Sequence, residues 1–97
     1  MKKTFNVKHP KIKAARVLDG IIFEVRKYIK RERRKVLPEG VDFWDFDCKF
    51  GATEEDAKVV HLSEISKSIG VAGEQGLESF YVEIMAKPGR RTKKPVN

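Results

Sequence analysis

One α+β domain, with four strands and two helices in the order β-α-β-β-α-β, is what this sequence predicts. Three observations carry that expectation. Four short segments alternate apolar and polar residues, the period of a half-buried strand. Two others repeat apolar residues every three to four positions, the period of a helix packed on one side. Clusters of proline and glycine separate most of these segments, where the chain must turn. A chain of 97 residues with 40% apolar content is enough for one core without disulfide staples.

The first strand is expected over residues 3–8, where Phe5 and Val7 point one way and Thr4, Asn6 and Lys8 the other. His9-Pro10 ends it, because proline supplies no ladder donor. From about residue 13 to 35, Ala14, Leu18, Ile21, Ile22, Val25, Ile29 and Val36 fall within a helical stripe about 100° wide. No Ser, Thr or Asp caps its start, whereas Leu37-Pro38-Glu39-Gly40 gives it a clear stop.

Residues 41–50 alternate again, with Trp44, Phe46, Cys48 and Phe50 on one face and Phe43, Asp45, Asp47 and Lys49 on the other. The first group should face the helix, which predicts Trp44 beside Leu18, Ile22 or Val25. An acidic loop follows over 51–56, then a short strand over 58–62. Ser63 is the expected N-cap of a second helix, whose stripe is Leu62, Ile65, Ile69 and Ala72 and which Gly76 ends. The last strand, 78–87, turns Phe80, Val82, Ile84 and Ala86 inward and Tyr81, Glu83, Met85 and Lys87 outward, and Pro88-Gly89 closes it. Residues 1–89 thus make the domain, and 90–97 make a basic tail too poor in apolar residues to order itself. The element order is that of the ferredoxin-like sandwich: a four-stranded antiparallel sheet with two helices on one face.

Two stretches bear a further likeness. The run KRERRKVLPEGVDFWDFDCK at residues 30–49, with Glu78-Ser79-Phe80-Tyr81-Val82-Glu83-Ile84 and Lys87-Pro88-Gly89-Arg90-Arg91, resembles a family of small bacterial proteins known only as a domain of unknown function. The resemblance spans nearly the whole chain. It implies a bacterial cytosolic protein and brings no activity or site residue with it.

Charge is distributed unevenly. Residues 1–37 carry 13 Lys/Arg against three acids, 38–86 carry three against 11, and 87–97 carry five against none. Such a dipolar chain either neutralises itself across the fold or keeps one side for a polyanion. The lone cysteine, Cys48, allows no internal disulfide, and no apolar run is long enough to span a membrane. The basic N-terminus has no apolar stretch of the kind a secretion signal carries. A soluble protein of the cytoplasm is expected.

The candidate site lies on the first helix. Arg26, Lys27, Lys30, Arg31, Arg33 and Arg34 fill the arc opposite the apolar stripe, and Phe23 stands in its middle beside Arg16. Guanidinium and ammonium groups around an aromatic ring suit phosphate contact and stacking on an exposed base. The bland alternative is a solvated face whose long stems cover apolar surface. Arg90, Arg91, Lys93 and Lys94 in the tail would add affinity that does not depend on sequence. The expected partner is RNA, DNA or a ribonucleoprotein surface. The alternative is an acidic protein surface, or a protein docked on Phe43, Tyr81 and Met85.

Other constellations are weaker. Asp45 and Asp47 project from one strand and Glu83 from another, but nothing else that phosphoryl transfer needs accompanies them, and lysines such as Lys58 are adequate partners. Gly70-Val71-Ala72-Gly73 matches a phosphate-clamping glycine loop only superficially and reads as a helix end. In the expected sandwich the central strands would be those at 3–8 and 58–62. They carry no stacking motif, and the outer strands would make an acidic sheet face. His9, His61 and Cys48 lack metal-ligand spacing, and no nucleophile–base arrangement can be traced. No enzyme activity, metal or cofactor is expected.

Overall fold

The computed structural model describes residues 1–90. The elements are β1 (Lys2–Asn6), α1 (Ala14–Arg33), β2 (Phe43–Gly51), β3 (Lys58–Val60), a 3₁₀ turn (Leu62–Glu64), α2 (Ile65–Glu74) and β4 (Ser79–Gly89). All pairings in the four-stranded sheet are antiparallel, and both helices pack on one face of it. The β-α-β-β-α-β order of a ferredoxin-like layout is therefore present. No described helix is long and apolar enough to cross a membrane.

The strand order is β1-β4-β2-β3, so β4 and β2 are central and β1 and β3 form the edges. This corrects the expectation that residues 3–8 and 58–62 lie in the middle. The physical reason is length and apolar content. β2 and β4 pair from Phe43↔Gly89 to Gly51↔Tyr81, whereas β3 offers three residues and β1 five. The longest strands bury most when neighbours cover both their sides.

The core lies between sheet and helices. Phe5, Val7, Phe46, Cys48, Phe80, Val82 and Ile84 meet Ile21, Val25, Ile65, Ile69 and Ala72. Phe80 is wholly buried, with its ring centroid 5.9 Å from that of Phe5 and 5.3 Å from that of Phe50. Burial pushes the Cys48 thiol up to about 11, with Asp47 and Asp45 adding to the effect, so the group is a small hydrophobe at neutral pH.

Several boundaries differ from the expected ones. β4 runs through Pro88 to Gly89 rather than stopping before them. Alternation along β4 explains this: the Ile84 N–H donates to Met1 O on the β1 side, so residue 88 presents its nitrogen to that side too. β1 has ended there, and the missing N–H costs no ladder bond. Helix α2 is entered through the 3₁₀ turn, which His61 caps by accepting the Ser63 N–H at Nδ1; Ser63 caps neither element, and α2 itself starts after Glu64 with no side-chain cap. Its exit matches expectation. Gly76 takes φ +71°, and Leu77 N donates to Ala72 O while Gly76 N donates to Gly73 O. Gly70 and Gly73 thus belong to α2, and Gly73 is where Leu18 of α1 packs closest. Val36 lies beyond α1 and is 92% exposed, so it is no part of the stripe.

Trp44 is half-buried at the other end of α1 from Leu18, and its Nε1–H donates to Lys35 O at 2.9 Å. The link from Arg34 to Asp42 is short and ties the start of β2 to the end of α1. Trp44 therefore reaches the helix's C-terminal end and not the level of Leu18 or Ile22.

Candidate nucleic-acid interface

Helix α1 builds the candidate surface because its two faces differ so sharply. Ile21 and Val25 are buried, with Val17, Leu18, Ile22, Tyr28 and Ile29 packed around them. On the opposite side Arg16, Phe23, Arg26, Lys27, Lys30, Arg31, Arg33 and Arg34 are all exposed. Phe23 is 68% exposed, and Arg16, Arg26, Lys27, Lys30 and Arg34 lie within about 60° of it on the helical wheel. At 1.5 Å per residue, the face from Arg16 to Arg34 is about 27 Å long.

Most of these cations have no carboxylate of their own. Among the described residues the ion pairs join Lys3 to Glu24, Lys8 to Glu78, Lys35 to Glu32, and Lys87 to Asp45 and Asp47. None involves a cation of the α1 face. Two of the guanidiniums are steadied by rings instead: Arg31 lies over Tyr28 at 5.6 Å and Arg33 over Phe46 at 5.7 Å. Lys30, Arg31 and Arg33 also occupy the last turn, where positive charge is favoured by the helix dipole. Glu24 is turned to Lys3 and Glu32 into a buried site with Lys35, while the exposed Asp19 stays on the face, about 40° from Phe23 on the helical wheel. The Lys35 hydrogen bond holds the Glu32 carboxyl below its ordinary value.

Arg90 is exposed beside Gly40, in the link after α1, and stands apart from the helix face. Arg91, Lys93 and Lys94, the rest of the expected tail, lie outside the described residues.

Sequence reasoning missed a groove next to this face. It runs between the C-terminal half of α1 and the entry to α2, with a volume of about 500 Å³. Val25, Ile29, Leu62 and Ile65 floor it, Arg26, Lys30 and Arg33 rim it on one side, and His61, Ser63 and Ser66 line the other. No local signal could have shown it, since its two walls are about 35 residues apart in the chain.

The open sheet face needs three corrections. It is not acidic: Lys87 Nζ lies 2.6 Å from Asp47 and 3.9 Å from Asp45, and Glu83 is flanked in register by Lys2 and Lys49. The partner of the aspartates is thus Lys87 and not Lys58, because β4 is the neighbour of β2 along that stretch. Tyr81 is not available for docking, being 3% exposed. It faces Gly51 across the strands, and Ala57 of the acidic loop closes over that glycine. Phe43 and Met85 remain partly exposed on this face.

Tyr81 makes a pH prediction. Burial, then its hydrogen bond to Glu83 Oε1 at 2.8 Å, pushes the phenol up to about 12 from 10.0. A group whose folded value is raised contributes stability below its unfolded value and loses it as pH rises through the folded one. Thermal stability should therefore fall between about pH 10 and 12. Tyr81→Phe should lessen that fall, leaving the parts due to Cys48, raised from 9.0 to about 11, and to Tyr28, raised as well. Melting temperatures across that range, read side by side for the two proteins, check it.

A family model described as a family of unknown function (DUF6172) matches residues 1–95. Neither the curated proteins nor the solved structures contain a match to the chain.

Proposed function

This chain belongs to the DUF6172 family of unknown function, and we propose that it is a small accessory module that binds RNA, DNA or a ribonucleoprotein surface through phosphate contacts, without reading sequence. One observation carries the proposal: the α1 face carries seven cations against one acid, Asp19, and none of these cations forms an ion pair with the fold's carboxylates among the described residues. A fold that merely neutralised its own dipolar sequence would pair the two. Phe23 adds a flat apolar surface among the phosphate-binding groups, where a base can stack. Arg90 adds an exposed cation beside Gly40, off the helix face, and the remaining tail cations Arg91, Lys93 and Lys94 would add to it. The proposed setting is the bacterial cytoplasm. No enzymatic role belongs to this reading, since Asp45, Asp47 and Glu83 are engaged by Lys87 and Tyr81.

Salt dependence tests it. Each neutralised phosphate contributes about 0.7–0.9 to the log–log slope, so four to six contacts predict a slope of roughly −3 to −5 on mixed-sequence RNA or DNA. Phe23→Ala should weaken single strands more than duplexes. A protein that binds no nucleic acid even at low ionic strength would refute the reading and favour a protein partner, for which exposed Phe43 and Met85 are the first residues to substitute.

A further inference from the structure

The cations Arg26, Lys30 and Arg33 belong to two features at once. They lie on the exposed face of α1, and they rim the groove between α1 and the start of α2. A strand whose phosphates follow the face therefore passes directly over an opening with an apolar floor. That floor is rigid: Val25 and Ile65 are each 1% exposed and belong to the core. A duplex cannot use such an opening, because its bases are stacked inside. A single strand can turn one base out of its stack.

From this we infer that the groove is a base-binding subsite for single-stranded nucleic acid. The inference rests on the phosphate-binding reading and narrows its partner. The volume of about 500 Å³ lies within the range of small-ligand sites. The aliphatic side chains of Ile29 and Leu62 meet the face of the base, and the 5′ phosphate is held by Arg26, Lys30 and Arg33. Ser63, Ser66 and His61 offer hydroxyl and imidazole groups at the wall opposite the cations. The Ser63 hydroxyl is 2.7 Å from His61 Nδ1, so these groups are held in place before any ligand arrives. The Ser66 hydroxyl can donate or accept, and the Ser63 hydroxyl, which donates to His61, can still accept, so this lining accommodates any base and gives no sequence code.

The expected result is that an oligouridine of about twelve nucleotides binds about tenfold more tightly than an RNA duplex of the same length, the range that one stacked base supplies. Ser66→Trp fills the groove without altering the charge of the outer face. It should cut that preference to the part that Phe23 supplies and leave duplex affinity and salt slope unchanged. In the unsubstituted protein, titration with 5′-AMP should shift the backbone amide resonances of Ser63 and Ser66 beyond the shifts that inorganic phosphate causes. Equal binding of both nucleic acids, with Ser66→Trp neutral or AMP indistinguishable from phosphate, overturns the subsite and leaves the phosphate-binding face standing. Absence of salt-dependent binding to either nucleic acid overturns both. An acidic peptide that displaces oligouridine from the groove but shows no preference lost in Ser66→Trp also overturns it.

Discussion

Reversing Arg26, Lys30 and Arg34 to Glu together is expected to lower affinity for nucleic acid by about 100-fold or more at low salt and to bring the log–log slope from roughly −3 to −5 to about −1 to −2. Three phosphate contacts are lost, and three like charges replace them. All three side chains are exposed and none has an ion pair among the described residues, so the fold gives up no partner. Trp44 supplies the control. Its indole bonds to Lys35 O just past the end of α1, and its fluorescence reports whether the helix still docks on β2. A variant with native Trp44 emission and native salt slope would show that binding does not run through α1. Reversal of Lys8 and Lys49, which lie off the helix, should change the slope by far less.

The largest effect on stability is expected from Phe80→Ala, at about 3–5 kcal/mol. Phe80 is 0% exposed near the start of β4, in contact with the rings of Phe5 and Phe50. Its removal opens a cavity where the two central strands and one edge strand meet, and it breaks both ring contacts at once. A domain of this length has roughly 5–15 kcal/mol in hand, so the variant should be near half-unfolded in mild denaturant. Urea titration followed by Trp44 fluorescence measures the shift. Trp44→Ala, by contrast, removes a half-buried ring and one hydrogen bond at the periphery, and should cost about 1–3 kcal/mol. If Trp44→Ala proved the more damaging of the two, the core would be centred at the end of α1 and not under β4.

The periodicities made most of this protein legible before its fold. Phe5, Val25, Phe46, Cys48, Ile69, Phe80 and Ile84 were assigned to the core by period alone, and all seven are buried. The outward face of α1 was equally plain, because a long helix with one apolar stripe leaves the rest of its circumference to solvent whatever it packs against. Phe23 and its neighbouring cations are therefore exposed for a reason that is entirely local. The start of α1 was also read correctly as uncapped: Lys13 precedes it with no side-chain cap.

What period could not supply was partnership. Side-chain alternation states which face a residue takes but not which strand lies beside it. Alternation thus offered lysines such as Lys58 to the aspartates, and β2–β4 pairing brought Lys87 to them instead. Tyr81 is a similar case, since alternation turned it outward correctly, yet it is 3% exposed where Ala57 closes on its cross-strand partner Gly51. Strand order followed from the relative lengths of β1 to β4, which the sequence blurred by extending β3 to residue 62 and stopping β4 at residue 87. The groove between α1 and α2 is the clearest case. Its cations come from one helix and its serines from the entry to another, and local sequence does not determine that distance. It is set when Leu18 closes on Gly73 and both helices settle on one sheet, which is a property of packing.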